Sequence, residues 1–338
     1  MKTLHYPAWG TLEISEEDQP KPATDEVVLK VAACGICGSE LETFKNRSQR
    51  RTPPLVMGHE FCGIIAEIGS NVPDREIGDP VVSNSVVSCG TCRCCARGST
   101  HLCTDRQIFG MHRPGAFAEY ISVPEQCLID WPEGLPAESA CLAEPLANGI
   151  HVANIVSRTE PKTTLIFGAG PIGLMCQQAI QVKIGGTIIV VDLVSDRLEI
   201  AALLGANQIV NASQEDIVEF VNDMTYGEGV DLVIDSAGNQ TTKQQSLSVC
   251  RPGGAVVWIG LLENAVKLDS YDVTLAEKTI FGSYAASLSE LRDAVNLLSS
   301  GLVDTKRWLQ SFPLERGVEA FQRMLAAQGM DIKAVLIP

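Results

Sequence analysis

Thr164-Leu165-Ile166-Phe167-Gly168-Ala169-Gly170-Pro171-Ile172-Gly173 is the stretch that decides the fold. Its first residues form an uninterrupted apolar run, as expected of a parallel strand buried on both faces. The last six fit G-x-G-x-x-G and open a helical pattern running through Leu174, Ala179 and Val182. A glycine motif alone says little in a chain with 29 glycines. Its place between a strand and a helix gives it weight. Gly168 permits the tight turn, Gly170 lets the backbone approach a pyrophosphate, and Gly173 lets helix and strand pack closely. Pro171 suits a first helical position, where its missing N–H costs nothing. With Ile172 in the same turn, these residues present free N–H groups and a positive dipole end to phosphates. Gly168, Gly170, Pro171, Ile172 and Gly173 are therefore candidate cofactor-binding residues.

Reading outward, similar apolar runs recur at Ile188-Ile189-Val190-Val191, Leu232-Val233-Ile234, Ala255-Val256-Val257-Trp258-Ile259 and Thr279-Ile280-Phe281. Helical stretches separate them, for example Asp196 to Leu204, stopped by Gly205. Alternating strand and helix predicts an α/β Rossmann domain with a doubly wound parallel sheet. Asp192 ends the second run, nineteen residues after Gly173. A carboxylate there accepts hydrogen bonds from ribose hydroxyls and repels a 2′-phosphate, so the cofactor is expected to be NAD. Arg197, five residues on, is the one cation that argues for a phosphorylated ribose, and it joins the candidate site.

Residues before about 145 read differently, with short alternating runs such as Val27-Val28-Leu29-Lys30-Val31 broken by Gly and Pro. Two helical patterns, Leu288 to Leu298 and Arg316 to Ala327, follow the parallel region. The strand Lys333-Ala334-Val335-Leu336-Ile337 closes the chain, and it is expected to complete the β-rich part.

With 26 Lys and Arg against 41 Asp and Glu, the net charge of −15 disfavours nucleic acid and anionic membranes as partners. The first residues lack the apolar core of a signal peptide, and no run approaches the ~20 residues of a transmembrane helix. A cytoplasmic protein is expected. In that reducing compartment twelve cysteines point to metal rather than disulfides.

Cys89, Cys92, Cys95 and Cys103 give C-x2-C-x2-C-x7-C. Four thiolates at short spacing can close a tetrahedron around zinc with no open position, which holds a loop rather than performing chemistry. Cys94 is an alternative to Cys95. A second, dispersed set is Cys37, His59, Glu60 and Glu144, whose mixed S, N and O donors leave room for a substrate. Spacing alone does not single these four out, since a histidine beside a glutamate is more often structural.

These segments carry a family resemblance. Cys34-Gly35-Ile36-Cys37-Gly38-Ser39, Gly58-His59-Glu60, Gly78-Asp79, the four-cysteine loop, Phe117-Ala118-Glu119-Tyr120, Glu144-Pro145-Leu146 and the glycine motif resemble, from end to end, a zinc-containing medium-chain dehydrogenase. The similarity is greatest to the sorbitol (polyol) dehydrogenase-like branch. It implies a split GroES-like catalytic domain, residues 1–147 and 286–338, with the Rossmann domain, 148–285, inserted between. It also implies one catalytic and one structural zinc, and a homodimer or homotetramer joined partly through the strand near Ile280. In this resemblance Cys37, His59 and Glu60 match catalytic zinc ligands. Glu144 matches an acidic residue that ligates the zinc or holds its water, and Ser39 matches the hydroxyl that hands on the substrate's proton. The expected activity is hydride transfer between NAD and a secondary alcohol of a polyol, sugar-derived or polyol-phosphate substrate. An amino-alcohol, threonine-type substrate is the alternative, given Asn148 and His151 after Glu144-Pro145-Leu146. A non-catalytic binding protein of the same fold is the more distant one.

The sequence departs from the family at four places. Glu40 replaces an aspartate, and Glu42 stands where many relatives have a histidine that passes the proton to solvent. Pro114-Gly115-Ala116 replaces a Gly-Gly pair, and Ser283 precedes Tyr284 where sorbitol dehydrogenases have an arginine. The last two lie near the expected substrate pocket and count against sorbitol itself. Lys45, Arg47, Arg50 and Arg51 put four cations in seven residues shortly after Cys37. Such a cluster either binds an anionic substrate through charge-assisted hydrogen bonds or is a solvated loop balancing nearby acids.

Overall fold

The computed structural model describes residues 1–326 and 329–338. Two compact units emerge, one formed by Met1–Ala147 with Ala285–Pro338 and the other by Asn148–Tyr284.

The second unit is a six-stranded, all-parallel sheet. Across it the strands run Gln208–Asn211, Thr187–Asp192, Thr163–Phe167, Val230–Asp235, Cys250–Trp258 and Thr279–Gly282. Strand order reverses at Thr163–Phe167, whose two neighbours lead away in opposite directions. In open α/β sheets ligands bind at the carboxyl ends of strands at this reversal, and the glycine motif leaves the sheet there. Leu165, Phe167, Ile189, Val191, Val233 and Val256 fill one core of this unit.

Five of the six strands coincide with the apolar runs. The sixth, Gln208–Asn211, carries no such run because it is an edge strand with only Val210 buried. The helix expected over 196–204 spans Ser195–Leu203, and Gly205 follows it with φ +96°.

The first unit is β-rich. Its largest sheet orders Leu128–Asp130, Pro80–Ser83, Glu60–Ile68, Glu26–Gly35, Lys333–Ile337 and Leu309–Pro313, with Tyr120–Pro124 also paired to Glu26–Gly35. The terminal strand lies antiparallel to Glu26–Gly35, with Val335 opposite Gly35 and Leu336 opposite Cys34. Helices span Leu288–Ser299 and Gly317–Ala326; Ala327, the expected end of the latter, lies outside the described residues. Leu4, Tyr6, Leu29, Phe61, Phe117, Phe321 and Leu336 belong to the core around this sheet. No described helix is long and apolar enough to cross a membrane.

Candidate active site

Strand register builds the first constellation. The antiparallel ladder between Glu26–Gly35 and Glu60–Ile68 ends with Gly35 opposite Glu60. Two residues past Gly35 the chain turns into the helix Gly38–Asn46, with Cys37 as N-cap. Cys37 is thereby carried back to the residues beginning the partner strand. The donor atoms of Cys37, His59 and Glu60 all lie within 4.8 Å of one another.

Glu40 organises this trio. It has no solvent exposure, and its Oε1 accepts hydrogen bonds from Gly58 N (2.9 Å) and His59 Nδ1 (2.9 Å). Its Oε2 accepts from Cys37 N at 3.0 Å. Burial raises the Glu40 carboxyl, but His59, Arg51 and the backbone N–H of Cys37 more than reverse this and hold it low. An ionised carboxylate is acceptor-only, so Nδ1 of His59 donates to it, which leaves Nε2 as the ring atom that can serve as a ligand. Glu40, in place of the family's aspartate, thus orients His59 and also grips the backbone at Cys37. Gly58, at φ +103°, presents its N–H to Glu40 in a conformation an L side chain rarely adopts; a Cβ there would meet Phe117 at 2.7 Å.

The segment Gly115-Ala116-Phe117 clamps the residues ahead of His59 through Gly115 N to Val56 O (2.8 Å), Ala116 N to Gly58 O (2.9 Å) and Phe117 N to Met57 O (2.9 Å). Gly115 has to be glycine, because any Cβ would run into the backbone of Met57 and Gly58. Ala116 packs fully buried.

Three further charged groups bear on the trio. Lys333, from the terminal strand, forms an ion pair with Glu60 Oε2 and donates to Ile36 O at 2.9 Å. Burial lowers its ammonium pKa, but the Glu60 charge prevails and raises it, so Lys333 stays charged. Glu144, in the first turn of the helix Ala143–Val156, stands outside the set of mutually close donors and accepts a hydrogen bond from Ser85 Oγ at 2.6 Å. Burial, with help from Glu60, pushes its carboxyl up, against the pull of His59. Arg51, expected in an exposed basic cluster, is buried at 2% exposure. Its Nε donates to Gly110 O, Nη1 to Ser39 O and Nη2 to Ser39 Oγ, each at 3.1 Å. Lys45, Arg47 and Arg50 remain exposed. Ser39 Oγ in turn donates to Cys37 Sγ at 3.3 Å.

Elsewhere in this unit Cys89, Cys92, Cys95 and Cys103 bring their sulfurs within 4.8 Å of one another. Backbone N–H groups point inward, from Cys89 to Cys103 Sγ and from Cys92 to Cys89 Sγ, both 3.3 Å. Such N–H···S bonds favour thiolates, and Cys92 is held down at about 5 by the N–H groups of Cys95 and Thr104. The sulfur of Cys94 is not in this group. Four convergent sulfurs suit a closed tetrahedral site, whereas the S, N and O donors of Cys37, His59 and Glu60 suit an open one.

In the other unit the glycine motif joins Thr163–Phe167 to the helix Pro171–Lys183, with Gly170 as N-cap and Pro171 at its start. Gly168 adopts φ +98°, and a Cβ on Gly173 would collide with Gly168 O. Gly170 has nothing within 4 Å of where a Cβ would stand, which leaves a cradle at the helix N-terminus, beside Ile172. Asp192 closes the loop, its Oδ2 accepting from Ala169 N (2.7 Å) and its Oδ1 from Val194 N (2.9 Å). Arg197 Nε is buried without a hydrogen-bond partner among the described residues. The sequence reading missed Ser236, whose Oγ donates to Phe167 O at 2.7 Å and lies against Gly168. It also missed Arg51 and Lys333. A lysine inside the apolar strand 333–337 was an available signal; nothing in the pattern around 51 distinguishes Arg51 from its neighbours.

Comparison with known proteins agrees with this geometry. Residues 23–133 match the alcohol dehydrogenase GroES-like domain, and residues 171–300 match the zinc-binding dehydrogenase family. The chain is similar to D-arabitol-phosphate dehydrogenase of Enterococcus avium, 34% identical over 336 residues, 98% of this chain and 95% of that protein. It is also similar to L-threonine 3-dehydrogenase of Caldanaerobacter subterraneus, 33% identical over 333 residues, covering 96% and 95%. Among solved structures, galactitol-1-phosphate dehydrogenase from Escherichia coli superposes with a TM-score of 0.92 at 29% identity, covering 100% of both chains.

Proposed function

Because the chain belongs to the zinc-containing medium-chain dehydrogenase family, we propose that it oxidises a secondary alcohol of a polyol phosphate, with NAD as hydride acceptor. The observation that carries this reading is the convergence of Cys37, His59 and Glu60, with Glu40 fixing the tautomer of His59. These three would hold the catalytic zinc, with Glu144 near enough to feel their charge, and Cys89, Cys92, Cys95 and Cys103 would hold a structural zinc. When bound, zinc acidifies the substrate alcohol and NAD accepts the hydride.

The chain's own residues do the rest. Glu40 aims His59, and Lys333 offsets the charge of Glu60. Ser39 Oγ, beside Cys37 Sγ, takes the proton that the alcohol loses. Glu42, on the same helix, is a carboxylate where relatives carry a histidine, so the proton leaves to Glu42 or to water. In the nucleotide unit, the open cradle at Gly170 receives the pyrophosphate, with Gly168, Pro171, Ile172 and Gly173 shaping the turn. Asp192 meets the adenosine ribose and disfavours a 2′-phosphate, while the unpartnered Nε of Arg197 is a donor for the same ribose.

Preference for a phosphate-bearing substrate rests on Arg47 and Arg50, exposed at the end of the helix that Cys37 caps and without an ion pair among the described residues. Two relatives act on polyol phosphates by name. The likeness to a threonine dehydrogenase makes threonine the second substrate to test. A homodimer is proposed through the edge strand Thr279–Gly282, near which Leu261, Leu262, Tyr271 and Leu275 are exposed. The test is NADH formation at low salt with a polyol phosphate, the neutral polyol and threonine. Arg47→Ala and Arg50→Ala should raise KM for the phosphate, less so as salt is added. Equal turnover of phosphate and neutral polyol by wild type and both variants would refute the anionic preference.

A further inference from the structure

We propose that Arg51 is a positioning residue that orients the Ser39 hydroxyl as the proton relay. The inference rests on the dehydrogenase reading above and deepens it.

Arg51 is an unusual cation. It is 2% exposed, and no carboxylate among the described residues pairs with it. A buried guanidinium in that state is costly unless its donors are used and a negative charge lies near. Its donors are spent on Gly110 O, Ser39 O and Ser39 Oγ, and the nearby negative charge is that of Glu40, whose carboxyl Arg51 helps to hold ionised. Two of its three hydrogen bonds go to a single residue. The planar fork grips the main chain of Ser39 and its hydroxyl together, fixing both the backbone and the side-chain rotamer.

The path of the relay follows from donor and acceptor capacity. A serine hydroxyl has one proton to give and two lone pairs to receive. Arg51 occupies one lone pair. The guanidinium has no acceptor atom and does not deprotonate, so it cannot take the serine's proton. One lone pair remains for the substrate hydroxyl, and the serine O–H, resting at 3.3 Å from Cys37 Sγ, is free to turn outward. The alcohol O–H bond breaks as its proton passes to Ser39 Oγ. The proton already on Oγ leaves to Glu42 or to water, and Ser39 ends as a neutral hydroxyl. Bound NAD would supply the acceptor for the substrate's C–H hydrogen and its electron pair. Without Arg51 the hydroxyl can rotate and present the wrong side to the alcohol.

The test uses R51Q, S39A and the double variant in the zinc-loaded enzyme. R51Q should lower kcat about tenfold or more, on the scale of a lost acid–base contribution. KM, zinc content and NADH binding by fluorescence should stay within about twofold of wild type, and the solvent deuterium isotope effect on kcat should grow, because proton transfer becomes slow. In the S39A background R51Q should cost less than about twofold, since the relay is already gone. An equal loss of kcat in both backgrounds, or a lower melting temperature as the sole effect, would overturn the proposal. If R51Q does not fold, R51K and S39A/R51K carry the same comparison: lysine cannot bridge Ser39 O and Oγ as the fork does, so R51K should lose kcat only where Ser39 is present. R51K with wild-type kcat, or an equal loss in both backgrounds, would again refute it. A wild-type protein that holds zinc and NADH yet oxidises no alcohol would defeat the functional reading instead, and that shows before any variant is made.

Discussion

Lys333 Nζ and Glu60 Oε2 form an ion pair closed to solvent at both ends, with side-chain exposures of 1% and 2%. The end of the chain thus supplies a countercharge to a residue of the candidate metal site. Gly35 makes room for it, since a Cβ there would strike Glu60 Oε2 and stand 3.0 Å from Lys333 Cε. Removing one partner of a buried pair leaves an uncompensated charge, at a cost of about 3–5 kcal/mol. K333M should therefore lower stability by that order in urea unfolding, and K333M/E60Q should recover part of it. A fully stable K333M would show that Glu60 does not need its partner.

The cysteine loop distinguishes two adjacent thiols. Cys95 joins the four convergent sulfurs and Cys94 does not. C95S should release one zinc per chain and lower the melting temperature, whereas C94S should keep wild-type zinc content and stability. Metal loss from C94S with retention in C95S would reverse the assignment.

Asp231 gives the nucleotide-binding unit a defined acid sensitivity. Its Oδ2 accepts from Lys162 N (2.9 Å), Thr163 N (2.8 Å) and Thr163 Oγ1 (2.9 Å), and its Oδ1 from Arg251 Nε (2.6 Å). Burial raises this carboxyl, but Arg251 and the Thr163 and Lys162 donors outweigh it and bring it down to about 2. A folded-state value below the unfolded one contributes stability that is complete above about pH 4 and is lost as the pH falls toward about 2. Acid titration of stability should show this loss in wild type and a shallower slope in D231N. Identical slopes would mean the carboxylate contributes nothing.

The parallel sheet was legible because buried strands write themselves as apolar runs, and the one strand missed, Gln208–Asn211, is an edge with a single buried side chain. Cys37, His59 and Glu60 were legible through family likeness rather than spacing, since the strand register that joins Gly35 to Glu60 is not written in either segment alone. The supporting charges were not legible. Arg51 reads as one more cation in a polar run until Gly110, 59 residues on, takes its hydrogen bond. Lys333 reaches Ile36 across 297 residues. In both cases the long-range contact, not the local pattern, decides burial.

The central claim is that Cys37, His59 and Glu60 hold the zinc at which an alcohol is oxidised. The most direct measurement is zinc content beside NADH formation from a polyol phosphate, in wild type and in His59→Ala. The account predicts two zincs per chain and NAD-linked turnover in wild type. His59→Ala should remain folded, lose one zinc and form no NADH. A His59→Ala protein that keeps both zincs and wild-type turnover would contradict it.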